Sequence, residues 1–304
     1  MGEVVEWMNN LSKEELEDFQ QAIEEEAMEK GLYMDEFEDA LTLEERDQFL
    51  FSNWREPDSP IYLRDDVPLE QLKNAHFFYN ARTLLTEIEK ENGFGITKKL
   101  ENIQRKHVEN LVEKFKWPEG FIENIKRYKK VIDEEDIWPL HTLRVFLDVA
   151  RFIRKQKGKY VLVKKQAHLL EKENAGKLYQ LLFSAFFRQF NMAYLYDGTP
   201  IPYQQDSIPY ILYRLQLMDM GWVNFDEIMD NVFLDTAHFE FYGMLGSYTT
   251  PGDKFYYNII RPLEFWGLVE TRQLGSPDLY NGPDEARKTP LFDAFLKFND
   301  PFKK

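Results

Sequence analysis

Residues 140–165 read LHTLRVFLDVARFIRKQKGKYVLVKK. Leu140, Leu143, Phe146, Leu147 and Ala150 recur at helical spacing and make one apolar stripe. After Ala150 the period changes from 3.6 to 2. Phe152 with Ile153, and residues 160–163, have the pattern of two short strands, with Lys157, Gly158 and Lys159 at the turn between them. A helix that runs straight into a hairpin is therefore expected. The hairpin is basic: residues 151–165 hold seven Lys or Arg and no acid, in a chain of net charge −15.

Splitting the charge by region resolves that contrast. Residues 1–66 carry 21 acidic and 5 basic side chains, whereas residues 96–188 carry 12 and 21. Residues 189–304 return to 16 acidic and 9 basic. An acidic region thus precedes a basic one, and a mildly acidic one follows. Such asymmetry bears on partners rather than on fold.

At 304 residues, 43% hydrophobic and 15% aromatic, the chain can bury sizeable cores. The absence of Cys excludes disulfides, thiolate metal sites and cysteine nucleophiles. No run reaches the roughly 18 apolar residues of a membrane span, and the first residues lack the basic and apolar parts of a signal peptide. A cytoplasmic protein without membrane contact is expected.

Outward from the hairpin, capping boxes at Ser12 to Glu15 and Thr42 to Glu45 predict N-terminal helices. Residues 53–68 hold three prolines and little periodicity, and read as a linker or extended arm. A helix over 69–91 should end at Gly93. Helices are expected over 104–115 and, opened by Pro118, through Ile125. The acids Asp133 to Asp136 suit the start of the next helix. A helix over 167–190 follows the hairpin. Residues 191–209, with three prolines and a glycine, mark the main boundary. Beyond it a helix over 210–218, one capped by Asn224, one over 255–265 interrupted by Pro262, and a hairpin from Gly267 repeat the earlier order. The expected organisation is a mainly α protein: an acidic helical region 1–95, a basic module 96–190, a linker 191–209 and a second module 210–304.

Helices followed by a hairpin and another helix, twice over, resemble the winged-helix fold. The first copy is carried by residues 140–170. The second is carried by YYNIIRPLEFWGLVE, residues 256–270, joined to RKTPLFDAFL, residues 287–296. Thr289 matches the threonine usual after the hairpin, while Val163, Gln166 and Phe292 stand where the family has Thr, Gly and Gly. Residues 96–215 also resemble a region of uncharacterised bacterial proteins that can accompany domains of the plasmid open-reading-frame-three type. That likeness rests on Ile96 to Lys98, Trp138 to His141, Phe186 to Asn191 and Tyr194 with Leu195. It implies a bacterial or mobile-element origin and supplies no activity.

The winged-helix resemblance implies that helix three enters a major groove and the wing lies on the adjacent backbone. The face opposite the apolar stripe carries His141, Arg144, Asp148 and Arg151, and the wing carries Arg154, Lys155, Lys157, Lys159, Lys164 and Lys165. These cations would neutralise phosphates, and the Arg144 fork could read guanine. The alternative is a solvated hairpin whose lysines keep an edge strand from pairing. The second module offers Lys254 and Arg261 alone on its helix three, beside Tyr248, Phe255, Tyr256, Tyr257 and Trp266, and reads as a protein-contact or dimerisation module.

Enzyme signatures are missing. His76, His107, His141, His168 and His238 are scattered, and there is no phosphate loop. No cofactor, metal or catalytic residue is expected. The leading expectation is a non-enzymatic, regulatory nucleic-acid-associated protein. The competing one is a protein-interaction scaffold whose modules touch no nucleic acid.

Overall fold

A computed structural model describes residues 48, 52–195, 204–219, 221–232, 255–274 and 283–299. The expected N-terminal helices with their two capping boxes, the connection 235–253 with Tyr248, and Lys254 lie outside the described residues. The described part is mainly α with small antiparallel sheets.

The first module starts with α1, His76–Lys90, preceded by a 3-10 turn at Gln71–Asn74. The expected single helix is broken at Ala75, whose ψ of 82° leaves the helical region. Phe78, Ala81, Leu84, Leu85 and Ile88 form its buried side. Gly93, at φ 100°, ends it, and its N–H reaches back to the Ile88 carbonyl at 2.8 Å. The chain then forms β2, Phe94–Gly95. Next come α2, Arg105–Lys114, α3, Phe121–Tyr128, and α4, Trp138–Val149. Pro118 sits in a turn ahead of α3, which starts only after Gly120 at φ 72°. The basic hairpin, the expected wing, follows as β3, Ile153–Gln156, and β4, Lys159–Leu162. The three strands lie in the order β2-β4-β3. Phe94 pairs with Tyr160, and Gly95 with Lys159. A strand that the charge pattern assigns to residues 1–95 is thus one edge of the basic hairpin's sheet.

His107 holds that edge. Its ring stacks on Phe94 with centroids 4.1 Å apart, its Nδ1 faces Glu91 at 3.0 Å, and its Nε2 accepts the Gly95 N–H at 3.2 Å. Because Nε2 is an acceptor, the ring there is neutral with its proton on Nδ1. Burial pushes the His107 pKa down, and nearby Lys106 and Lys159 push the same way against Glu91.

After two short 3-10 turns comes α5, Ala175–Arg188, so the expected helix over 167–190 forms only in its later part. The second module opens in the same way, with a helix, a short strand and a further helix, and closes on a hairpin. α6, Gln204–Leu217, leads to β5, Val223–Asn224, and α7, Phe225–Val232, where the Asn224 side chain accepts the Asp226 N–H at 2.7 Å. A π-helical turn at Tyr256–Ile260 runs into α8, Arg261–Phe265. The widened turn precedes Pro262, which has no N–H and crowds the carbonyl four residues back, so the helix continues through the proline instead of ending. β6, Val269–Arg272, and β7, Glu285–Lys288, complete a sheet of order β5-β7-β6. Then come α9, Pro290–Phe295, and β8, Leu296–Phe298.

Residues 53–68 are not a linker. They include β1, Ile61–Leu63, which pairs antiparallel with β8, and Trp54, Ile61, Leu63 and Val67 are buried. Period-2 strands this short carry little sequence signal beside three prolines. The two modules share one core centred on α5. Trp266 is fully buried, with its ring 5.2–5.5 Å from those of Phe77, Tyr179, Phe183 and Phe186. The Tyr179 hydroxyl donates to the Trp266 carbonyl. Gly267, at φ 73°, lets the chain pass Ala75, where a Cβ would meet backbone at 3.0 Å.

Stability should fall in two stages on acidification. His76 and His107 bind protons less well folded than unfolded, so their contribution is complete above about pH 6.5 and is lost as pH falls below it. Glu87, held low by Lys114, and Asp136, held low by the Asp133 amide and Lys129, lose theirs only below about pH 4.5. Thermal melts between pH 8 and pH 3 should show both stages, and His107→Gln should shrink the first (assay range around the titrations concerned, roughly).

Candidate nucleic-acid interface

The wing is aimed by the end of α4. Arg151 takes the left-handed conformation, φ 59°, and the Phe152 N–H returns to the Leu147 carbonyl at 2.9 Å. The tip residues Lys157 and Gly158 have φ 50° and 73°, the two positive angles of a tight type I′ turn. Tyr160 anchors the hairpin from inside: it is buried, and its hydroxyl donates to the Glu101 carbonyl at 3.0 Å. Arg151, Arg154, Lys155, Lys157, Lys159, Lys164 and Lys165 are all exposed. Lys155 is ion-paired with Glu101, which raises its pKa. Arg154 bonds only to Gln156, and Lys159 to the Asn92 carbonyl. Among the described residues no carboxylate lies within ion-pair reach of Arg151, Arg154, Lys157, Lys159, Lys164 or Lys165.

Three further cations extend this surface. The Ile96 N–H bonds to the Gly158 carbonyl at 3.1 Å, which seats the loop 97–101 beside the wing tip. Lys98 and Lys99 are exposed on that loop, and Lys106 is exposed at the start of α2. Lys106 precedes His107, whose pKa both Lys106 and Lys159 push down. Sequence reading missed these three because only the β2–β4 pairing brings them to the wing. Their signal was the Lys98-Lys99 doublet in the basic region.

Arg144 is a correction. The expectation of an exposed base-reading fork fails: Arg144 is only 8% exposed, and its Nε and Nη2 bind Glu134 Oε1 at 3.0 and 2.8 Å. Glu134 is fully buried and also accepts the Ile103 N–H. The acids at 133–136 do serve a turn, since Asp133 and Asp136 form a capping box. The second of them, however, points inward. The opposite face of α4 is covered by the segment around Asn102, whose Oδ1 lies 3.4 Å from Arg144 Nη2. An apolar stripe does not reveal a second packing partner on the other side of the helix.

His141 is likewise committed. Its Nδ1 meets Glu134 Oε1 at 2.8 Å, and its Nε2 meets the Tyr194 hydroxyl at 2.8 Å. Arg144 Nη2 also lies 3.1 Å from Nδ1, so both ring nitrogens are occupied within the protein. The rings of Trp138, His141 and Tyr194 stack, with Trp138 outermost and 47% exposed. The rest of the open side of α4 is Pro139, Val149 and the half-buried Val145 and Asp148. It offers no cation.

The second hairpin has the same strand order and none of this charge character. Arg272 pairs with Glu285 and Arg287 with Glu270, and both guanidiniums lie over Trp222 at 4.4 Å. Arg261, the cation on its third helix, lies over Tyr257 and Phe265. Phe255 and Trp266 are core residues.

Breaking the buried pair should destabilise the protein by about 3–5 kcal/mol, because either partner alone is a buried unpaired charge. Arg144→Met should cost more than the double variant Arg144→Met, Glu134→Gln, and chemical denaturation of the singles and the double measures the coupling.

Residues 73–175 are similar to the family described as the Y4jL N-terminal domain, an uncharacterised domain of bacterial type. The match runs from the 3-10 turn before α1 to the first residue of α5, so it takes in the basic wing and its sheet. No curated protein and no solved structure matches the chain at the significance required.

Proposed function

We propose that this protein is a non-enzymatic, cytoplasmic nucleic-acid-associated regulator that rests its first wing on a phosphate backbone. The observation that carries the reading is the set of exposed wing cations, all but Lys155 without a carboxylate partner among the described residues, beside Lys98, Lys99 and Lys106. Unpaired Lys and Arg on a rigid hairpin gain by displacing counterions from phosphates, and the gain is independent of sequence. The paired arginines of the second hairpin are the internal contrast. A winged-helix reading of both modules is supported by a helix, a short strand and further helices ahead of a hairpin in each, and by sheets ordered β2-β4-β3 and β5-β7-β6. With Arg144 buried, the reading narrows to backbone contact by the wing, without base recognition from α4.

A scaffold function is the second reading, favoured by the open apolar residues Trp138, Val145 and Val149 on α4. Protein surfaces of this kind exclude water on contact with another apolar face.

Binding to duplex DNA should weaken steeply with salt. Lys157→Glu with Lys159→Glu should lower affinity for all sequences alike and reduce the salt slope by about 2. Fluorescence anisotropy across a salt series reads both effects. If the wild type shows no retention on DNA or heparin at about 50 mM salt, the scaffold reading stands instead. Trp138→Ala should leave duplex affinity unchanged.

A further inference from the structure

We propose that the wing's unpaired cations are a docking surface for this chain's own acidic segment, residues 1–51, which competes with nucleic acid for them. The inference rests on the wing being a phosphate-contact site and names its regulation. Residues 1–51 hold 17 acidic and 3 basic side chains, so this stretch alone carries nearly the whole net charge of the chain. Elsewhere several acids of the fold are paired with a cation. Asp133 is bonded to Arg105, Asp136 to Lys129, Glu134 to Arg144, Glu270 to Arg287 and Glu285 to Arg272. Among the described residues, exposed cations without such partners also stand on α3 and just after it, at Lys126, Arg127 and Lys130, and the wing with Lys98, Lys99 and Lys106 gathers the larger group.

The surface already accepts a carboxylate. Glu101 sits on Lys155, one strand position from the tip, and its loop is anchored to Gly158 through Ile96. A carboxylate from residues 1–51 would meet the same kind of lysine at Lys157 or Lys159. Reach is sufficient: even at the helical rise of about 1.5 Å per residue, 51 residues span about 75 Å. A folded body of about 250 residues has a radius of gyration of only about 18 Å. Just after this segment the Arg188 guanidinium bonds the Ser52 carbonyl at 3.3 Å and covers the Trp54 ring at 4.2 Å. A tethered segment acts at an effective concentration of order mM. Weak exposed ion pairs, each worth well under 1 kcal/mol, can then occupy the wing collectively and still yield to a polyanion.

The experiment uses the full-length chain. A water-soluble carbodiimide joins carboxylates to lysines in contact, and mass spectrometry locates the links. Links from Lys157, Lys159, Lys164 or Lys165 to acids within residues 1–51 are expected, lost in high salt and when a DNA duplex is added. In parallel, six charges are neutralised by Glu24→Gln, Glu25→Gln, Glu26→Gln, Asp35→Asn, Glu36→Gln and Glu38→Gln. Duplex affinity should rise about tenfold at low salt, and the difference should shrink as salt screens the segment. Wing links confined to the Lys155–Glu101 pair, with duplex affinity unchanged in the neutralised variant, overturn the proposal. If the links form but neither protein binds DNA, the phosphate-contact reading fails while the docking of residues 1–51 stands.

Discussion

The burial of Trp266 among the rings carried by α1 and α5 is the constraint on which the described architecture depends. One side chain from the second module fills a cavity whose walls, Phe77, Tyr179, Phe183 and Phe186, belong to the first. Each aromatic pair of this kind adds about 0.5–1.5 kcal/mol to the area it buries. Gly267 follows directly and admits the backbone of Ala75, so the approach is close as well as apolar. The end of the second module's third helix is consequently committed to the core. Its hairpin arginines are committed to glutamates and Trp222. The basic hairpin of the first module is not committed in either way: most of its cations are exposed and face no carboxylate among the described residues.

Glu134 plays the corresponding part within the first module. A fully buried carboxylate has to find donors, and it takes them from Arg144, His141 and the Ile103 amide. These come from α4 and from the segment after β2. The carboxylate therefore sets how α4 lies against that segment. The same network lines up Tyr194 and Trp138 through His141. A cluster of acids ahead of a helix thus does two jobs, a surface capping box and an interior tie.

The parts of the fold legible in the sequence were those with a long period. The stripe from Leu140 to Ala150, the change of period after it and the Lys157-Gly158 turn are properties of contiguous residues, and each has its structural counterpart. Pairings between distant segments were not legible. Phe94 and Gly95 form too short a strand to leave a pattern, and so do Ile61–Leu63 and Leu296–Phe298. The wing cations could be named from the sequence because exposure is the default for Lys and Arg. Arg144 broke that default, since nothing local announces that Glu134 is turned inward ten residues earlier. Lys98, Lys99 and Lys106 joined the surface only through strand pairing. The expected acidic helices of the first fifty residues lie outside what the structure describes.

The pairing of β1 with β8 has a consequence for biosynthesis. Contacts in that corner join residues 240 apart in sequence, as between Asn299 and Ser59. At about 5–20 residues per second, the Ile-Tyr-Leu strand waits on the order of ten seconds or more after its own synthesis for its partner. During that interval it is an apolar strand with a bare edge, the kind of segment that recruits other nascent chains. Its flanks are suited to that delay: Pro60 precedes it, and Arg64, Asp65 and Asp66 follow. A proline with no amide to donate and a cluster of charges are the residues that discourage intermolecular strand addition. Pro60, one of the three prolines that disguise the segment as a linker, therefore belongs to the protection of a strand that closes late.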